Sequence, residues 1–211
     1  MPRMARIVID GGLYHVLTRG NNGQPIFREP ADYHRYMELL NSHAQRHDVK
    51  VYHFSLISSQ VHLILAVPLA DALSRVMSRI NLAYSWTYRK RYRYSGHLWQ
   101  GRFKSTLIEP VNLLDFGRFV ELTAARAGLV SHPAQHPWSS YHHYAAGAPI
   151  AVLTPHRWYL ALGAAATERQ DRYRRYVQDG LTLGGVPCTP CVARTPGRPR
   201  KLEAVLQKPT L

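Results

Sequence analysis

Cysteine is nearly absent from this chain, with two in 211 residues. That excludes a disulfide framework and fits a reducing compartment, so a cytoplasmic location is expected. No run of 18 or more apolar residues occurs, so neither a membrane span nor a membrane partner is expected. The opening residues MPRMARIVIDGG hold no apolar stretch of leader length, and no signal peptide is expected. Acidic residues are also scarce, 13 against 27 Lys plus Arg.

The resulting net charge of +14 exceeds what solubility requires and points to a polyanion. Lysine is rare and arginine common, which favours planar, bidentate contacts to phosphates or bases. Nucleic acid is therefore the expected partner and the nucleoid the expected setting. An apolar content of 45% over this length supports one ordinary domain with an appendage.

Pattern along the chain predicts strands over 13–18, 49–57, 61–67 and 101–109, and helices over 29–48, 70–92 and 111–128. The order β-α-β-β-α-β plus a helix is a ferredoxin-like α+β fold, an antiparallel sheet with helices on one face. The other face is expected to stay open for a ligand. A first domain over 1–145 is followed by a helical extension, 146–183, and a basic Pro/Gly-rich tail, 184–211. In the extension, HPWSSYHHYAAG reads as an aromatic loop. Thr167 with Gln170 reads as a capping box for a helix ended by Gly180. A second copy pairing through such a sheet is an open expectation.

Several stretches carry chemistry. YRKRYRYSGHLWQGRFK (88–104) holds Arg89, Arg91, Arg93, Arg102 and Lys104 with no acid, so it reads as a phosphate-tracking surface. Its interleaved Tyr88, Tyr92, Tyr94, Trp99 and Phe103 are either base-stacking platforms or core, with core expected for the last two. GRPRK (197–201) resembles an AT-hook, in which Arg198, Arg200 and Lys201 grip a narrow minor groove. Cys188 and Cys191 have knuckle spacing but no second ligand pair, and are read as ordinary thiols. His142 and His143 are placed in a loop. His15 and His53 fall mid-strand and could share a face with Gln60 and His62, which are i and i+2 on one strand.

Taken together, GLYHVLTRGNNGQPIF, LISSQVHLILAV, SGHLWQGRFKSTLIEP, GRFVELTAARAGLV and HPWSSYHHYAAG are similar, in order and spacing, to the REP-associated tyrosine transposases. These belong to the HUH single-tyrosine transposase superfamily. The resemblance spans about residues 3–180. It implies binding of a DNA hairpin and cleavage of single-stranded DNA beside it. It also implies a His-hydrophobic-His pair holding Mg²⁺ or Mn²⁺, a helical tyrosine that forms a 5′-phosphotyrosine, and an amide side chain four residues later.

Carried over residue by residue, the first histidine falls on Gln60 and the second on His62. The tyrosine falls on Phe119 and the amide on Thr123. Three of the four catalytic positions lack the required atom, and phenylalanine has no oxygen to attack with. The expectation is a site with no intact catalytic residue and no resident metal, on a scaffold that holds hairpin or palindromic DNA, and a regulatory role. Mg²⁺ or Mn²⁺ at His62 belongs only to a chain that still cuts. Arg19, Asn21 and Asn22 are expected at the DNA end, with Arg89, Arg91, Arg93, Arg102 and Lys104 on phosphates. Two other readings stay open: an active nickase using Tyr84, Tyr88, Tyr92 or Tyr94, and an RNA-binding module.

Overall fold

The computed structural model of the chain describes residues 8–182. The GRPRK stretch, with Arg198, Arg200 and Lys201, and the pair Cys188 and Cys191 lie outside the described residues.

Strand β1 (Leu13–Arg19) alternates strictly: Tyr14, Val16 and Thr18 are buried on one face, while Leu13, His15, Leu17 and Arg19 point to the other. Helix α1 (Pro30–Arg46) opens on a proline in its first turn and a reciprocal Glu29–Asp32 capping box. It buries Tyr36, Leu39, Leu40 and Ala44. Strands β2 (Lys50–Ile57) and β3 (Gln60–Ala66) form a hairpin around Ser58 and Ser59. Helix α2 (Ala70–Tyr92) buries Leu73, Val76, Met77, Ile80, Tyr84 and Tyr88, a 3.6-residue stripe. It stops where Arg93 turns left-handed at φ 50°. Strand β4 (Lys104–Ile108) completes an antiparallel sheet of order β2-β3-β1-β4. This is the ferredoxin-like α+β arrangement.

Helices α1 and α2 cover one face. Tyr14, Val16, Leu56, Leu63 and Leu65 meet Tyr36, Leu40, Leu73, Met77 and Tyr84 there. The second face is not open. Helix α3 (Leu113–Glu121) packs Leu113, Phe116 and Val120 onto Leu13, Ile64 and Ile108. The cause is written in LILAV (63–67): a continuous apolar run needs burial on both sides, and one helix layer satisfies only half of it.

The expected 111–128 helix is interrupted at Leu122, after which α4 (Thr123–Arg126) continues. The Thr123 hydroxyl donates to the carbonyls of Val120 (2.6 Å) and Phe119 (3.3 Å), back-bonding that competes with the helix ladder. HPWSSYHHYAAG is not a loop throughout, since Tyr141–Ala146 forms helix α5 with Tyr141 and Tyr144 buried. His142 and His143 face backbone carbonyls, of His136 and Ala148. Helix α6 (Arg157–Leu160) follows, then α7 (Ala166–Thr182). Thr167 lies inside α7 and so cannot cap it; instead the Glu168 carboxylate accepts from the Ala164 N–H at 3.0 Å. The helix passes through Gly180 without ending there. These three helices enclose Leu122, Tyr144, Tyr159, Tyr173 and Val177.

Candidate nucleic-acid interface

Sheet register fixes the neighbourhood of His62. Across the α3 face, Arg19 stands opposite Gln60, and Leu17 lies between His62 and Lys104. Ser55 pairs with His62 from β2, while His15 pairs with Ile64 and so sits diagonal to His62. Both mid-strand histidines therefore share the face of Gln60 and His62.

The His62 and His15 rings stack at 5.3 Å, with His15 Nε2 3.1 Å from His62 Nδ1. His62 Nε2 lies 3.3 Å from Gln60 Oε1. The network assigns both imidazoles as Nε2–H tautomers, His15 donating to His62 and His62 donating to Gln60. Burial pulls His62 down to about 3, helped by the charges of His15 and Arg19, and burial pulls His15 down to about 4. The pair is neutral at physiological pH, and both nitrogens of His62 are committed within the protein. Ser55 Oγ beside it is buried with no hydrogen-bond partner among the described residues.

Helix α3 lowers Phe119 onto this pair. Its ring meets His15 edge-on at 5.8 Å and His62 at 6.4 Å. The Arg126 guanidinium lies 4.9 Å from the Phe119 ring centre and donates to the Phe119 carbonyl at 3.2 Å. Thr123, one turn on, spends its hydroxyl on its own helix. The structure thus brings Gln60, His62 and Phe119 together. Among the described residues, no group of three His, Cys, Asp or Glu side chains is placed to hold a metal ion. Tyr84 and Tyr88 belong to the core of the opposite sheet face, Tyr92 donates to Asp32 at 2.7 Å, and Tyr94 donates to the His97 carbonyl.

The cations converge where β1 ends and β4 begins. Residues 20–24 form a turn with Asn21–Gly23 in a single 3-10 turn and Asn22 left-handed at φ 49°. It is stitched to the loop after α2: Asn21 N–H to Leu98 O at 2.8 Å, Gln100 N–H to Arg19 O at 2.9 Å, and Gln24 Nε2 to Leu98 O at 3.1 Å. Arg19, Arg102 and Lys104 line one small pocket with Leu17, Gln100 and Gly101. Arg89 and Arg93 stand exposed at the end of α2 that feeds this loop. Arg91 instead pairs with the buried Asp32 at 2.7 Å. The interleaved aromatics turn inward: Tyr88 and Phe103 are buried, and Trp99 donates to the Asn81 carbonyl at 3.0 Å. None of these three is a free stacking platform.

One polar cluster escaped sequence reading. Glu121 is wholly buried and accepts from Ser140 Oγ (2.7 Å), Tyr173 OH (2.8 Å) and His53 Nδ1 (3.0 Å). His53 Nε2 in turn accepts from His156 Nε2 at 3.2 Å, and His156 Nδ1 accepts the Tyr159 N–H. Burial and neighbouring His53 hold His156 down at about 3. This cluster ties α3 to β2 and to all three later helices. Its only sequence signal was an acid between Val120 and Leu122 on an apolar stretch; its partners lie 19 to 68 residues away.

The sequence model of the IS200-like transposases matches residues 9–122, just over half of the chain, and the chain belongs to that family. Among solved structures, a REP-associated tyrosine transposase bound to a REP hairpin aligns with a TM-score of 0.58 at 16% identity, covering 74% of this chain and 93% of that one. A transposase candidate from Deinococcus radiodurans R1 aligns at 0.39 and 14%, covering 57% and 96%. A bacterial tRNA(His) guanylyltransferase-like protein in complex with GTP aligns at 0.43 and 12%, covering 63% and 70%. No sequence match to a curated protein is found. Among the described residues, no helix is long and apolar enough to cross a membrane.

Proposed function

We propose that this protein binds hairpin or imperfectly palindromic DNA on a transposase scaffold and does not cleave it, acting as a regulator of transcription or of DNA structure. The observation that carries the reading is Phe119. A ring without a hydroxyl stands beside His62 at the family's nucleophile position, while a cationic rim of Arg19, Arg102 and Lys104 borders the same strand ends. The solved relative bound to a REP hairpin supports hairpin DNA as the ligand class.

The reading extends to the metal. Around His62 the available donors are its own imidazole, the His15 imidazole already hydrogen-bonded to it, and the neutral Gln60 amide, and burial, with the charges of His15 and Arg19, holds the His62 pKa down. Both nitrogens of His62 are committed to His15 and Gln60, and the Thr123 hydroxyl is spent on its own helix, so this set does not suit Mg²⁺ or Mn²⁺, which favour free oxygen ligands. Binding is expected to be insensitive to chelators.

The test is incubation with labelled single-stranded hairpin DNA and Mn²⁺, followed by a denaturing gel. Tight hairpin binding with no covalent adduct is the expected result; an adduct refutes it and revives the displaced-tyrosine reading. Parallel titrations with duplex DNA and with RNA of the same sequence decide the ligand. With ~6 phosphate contacts, affinity falls roughly 10³-fold between 50 and 200 mM salt.

A further inference from the structure

Helix α2 carries a second surface that faces away from the sheet. Leu82 and Trp86, one turn apart, are 69% and 65% exposed. Arg79 precedes them by one turn and Lys90 follows by one turn, both exposed. The Lys90 Nζ sits 5.3 Å from the Trp86 ring centre, and exposed Arg89 lies beside it. The acid on this helix, Asp71, is taken up by Arg75 at 2.6 Å. Among the described residues, Arg79, Arg89 and Lys90 have no carboxylate within ion-pairing distance.

From this arrangement we infer that the outer face of α2 is a single-stranded DNA track, with Trp86 as its base-stacking platform and Arg79, Arg89 and Lys90 as phosphate contacts. An exposed indole offers a π-face that any base can cover, and flanking cations at helical spacing follow a backbone. Charge complementarity selects this occupant. A second copy of a chain carrying +14 would bring like charge to the same cations, and two exposed side chains are too little apolar surface to offset that. The position also fits. Trp86 lies seven residues before Arg93, about 10 Å along the helix axis, and the loop after Arg93 is the one stitched to the Asn21 turn. A strand leaving a hairpin held at that turn meets Trp86 next. The inference deepens the DNA-binding reading by naming where unpaired flanking sequence goes.

The experiment measures binding of the full chain to three labelled probes: a blunt hairpin, the same hairpin with a single-stranded tail, and oligothymidine alone. Trp86→Ala is expected to weaken the tailed hairpin and oligothymidine roughly tenfold, as loss of one stacked base implies, and to leave the blunt hairpin unchanged. Trp86→Phe keeps a ring and is expected to retain most of the affinity. Lys90→Ala and Arg79→Ala each lower the salt slope on oligothymidine by about one. An unchanged affinity of Trp86→Ala for the tailed hairpin overturns the inference, as does an equal loss on blunt and tailed probes. Preferential binding of oligouridine, or a Trp86-dependent dimer in sedimentation, assigns the face to RNA or to a second copy and overturns it too. Failure of the hairpin reading is separable: the wild type then ignores the blunt hairpin, while oligothymidine still reports on Trp86.

Discussion

The Phe119 ring meets the His62 ring at 6.4 Å between centres and 64° between planes, and on the proposed reading it stands where the family's tyrosine would. A hydroxyl added to that ring alone finds the neutral Gln60 amide beside His62 and Thr123 bonded to its own helix. Phe119→Tyr is therefore expected to fold, to bind hairpin DNA as the wild type does, and to form no covalent adduct. Gln60→His, Phe119→Tyr and Thr123→Asn combined are expected to yield a Mn²⁺-dependent adduct on a denaturing gel. An adduct from the single variant would show that a tyrosine at position 119 suffices for the chemistry.

Acid should weaken this fold in a defined window. Unfolded, each histidine takes its proton near 6.5. Folded, His62 and His156 resist protonation until about 3 and His15 until about 4, with burial the leading cause for each. Between those limits the unfolded chain binds more protons, so stability is full above pH 6.5 and is lost as pH falls. At pH 5 one such group costs about 2 kcal/mol. Thermal melts should show Tm dropping from pH 7 to 5, with a shallower drop in His62→Gln. A Tm flat over that range would remove the neutral-pair description.

Glu121 concentrates the next prediction. Three side chains donate to it with no access to water, from β2, from the segment before α5, and from α7. Glu121→Ala strands all three donors and is expected to cost about 3–5 kcal/mol. Glu121→Gln keeps one acceptor oxygen and should cost less. Gly117 adds an independent check from the same seam: a methyl there would lie 2.5 Å from the His53 ring. Gly117→Ala is expected to cost about 1–3 kcal/mol by overpacking. Urea midpoints measure each, and near-wild-type midpoints would mean that the later helices dock without this seam.

How much of this could be read from residues alone divides by the range of the interactions involved. The strands, α1 and α2 follow from periods of 2 and 3.6, which are local, and the topology follows from their order. Pairing of Gln60 and His62 on one face needs only strand geometry. Covering of the second sheet face is legible in the apolar run 63–66 of β3, which puts Ile64 and Ala66 on that face. Glu121, in contrast, gains its role from His53, Ser140 and Tyr173, which no local pattern links to it. Trp86 and Tyr88 are likewise alike in sequence, two aromatics on one helix. One is 65% exposed and the other buried, because a two-residue step is about 200° around the helix.

That distinction separates two arginines that composition treats as equal. Arg102 lines the pocket shared with Arg19 and Lys104, whereas Arg91 is held by Asp32, whose other carboxylate oxygen takes the Tyr92 hydroxyl. Asp32 is also the reciprocal partner in the cap of α1, so Arg91 supports the junction of α1 with α2. Arg102→Ala is expected to leave the urea midpoint unchanged and to lower the salt slope of hairpin binding by about one. Arg91→Ala is expected to do the reverse, lowering the urea midpoint because the buried Asp32 carboxylate loses its cation, with the salt slope kept. Affinity measured across a salt series, beside denaturation of the same two variants, decides the matter. A reduced slope for Arg91→Ala would place its guanidinium on phosphate and require Asp32 to release it on binding.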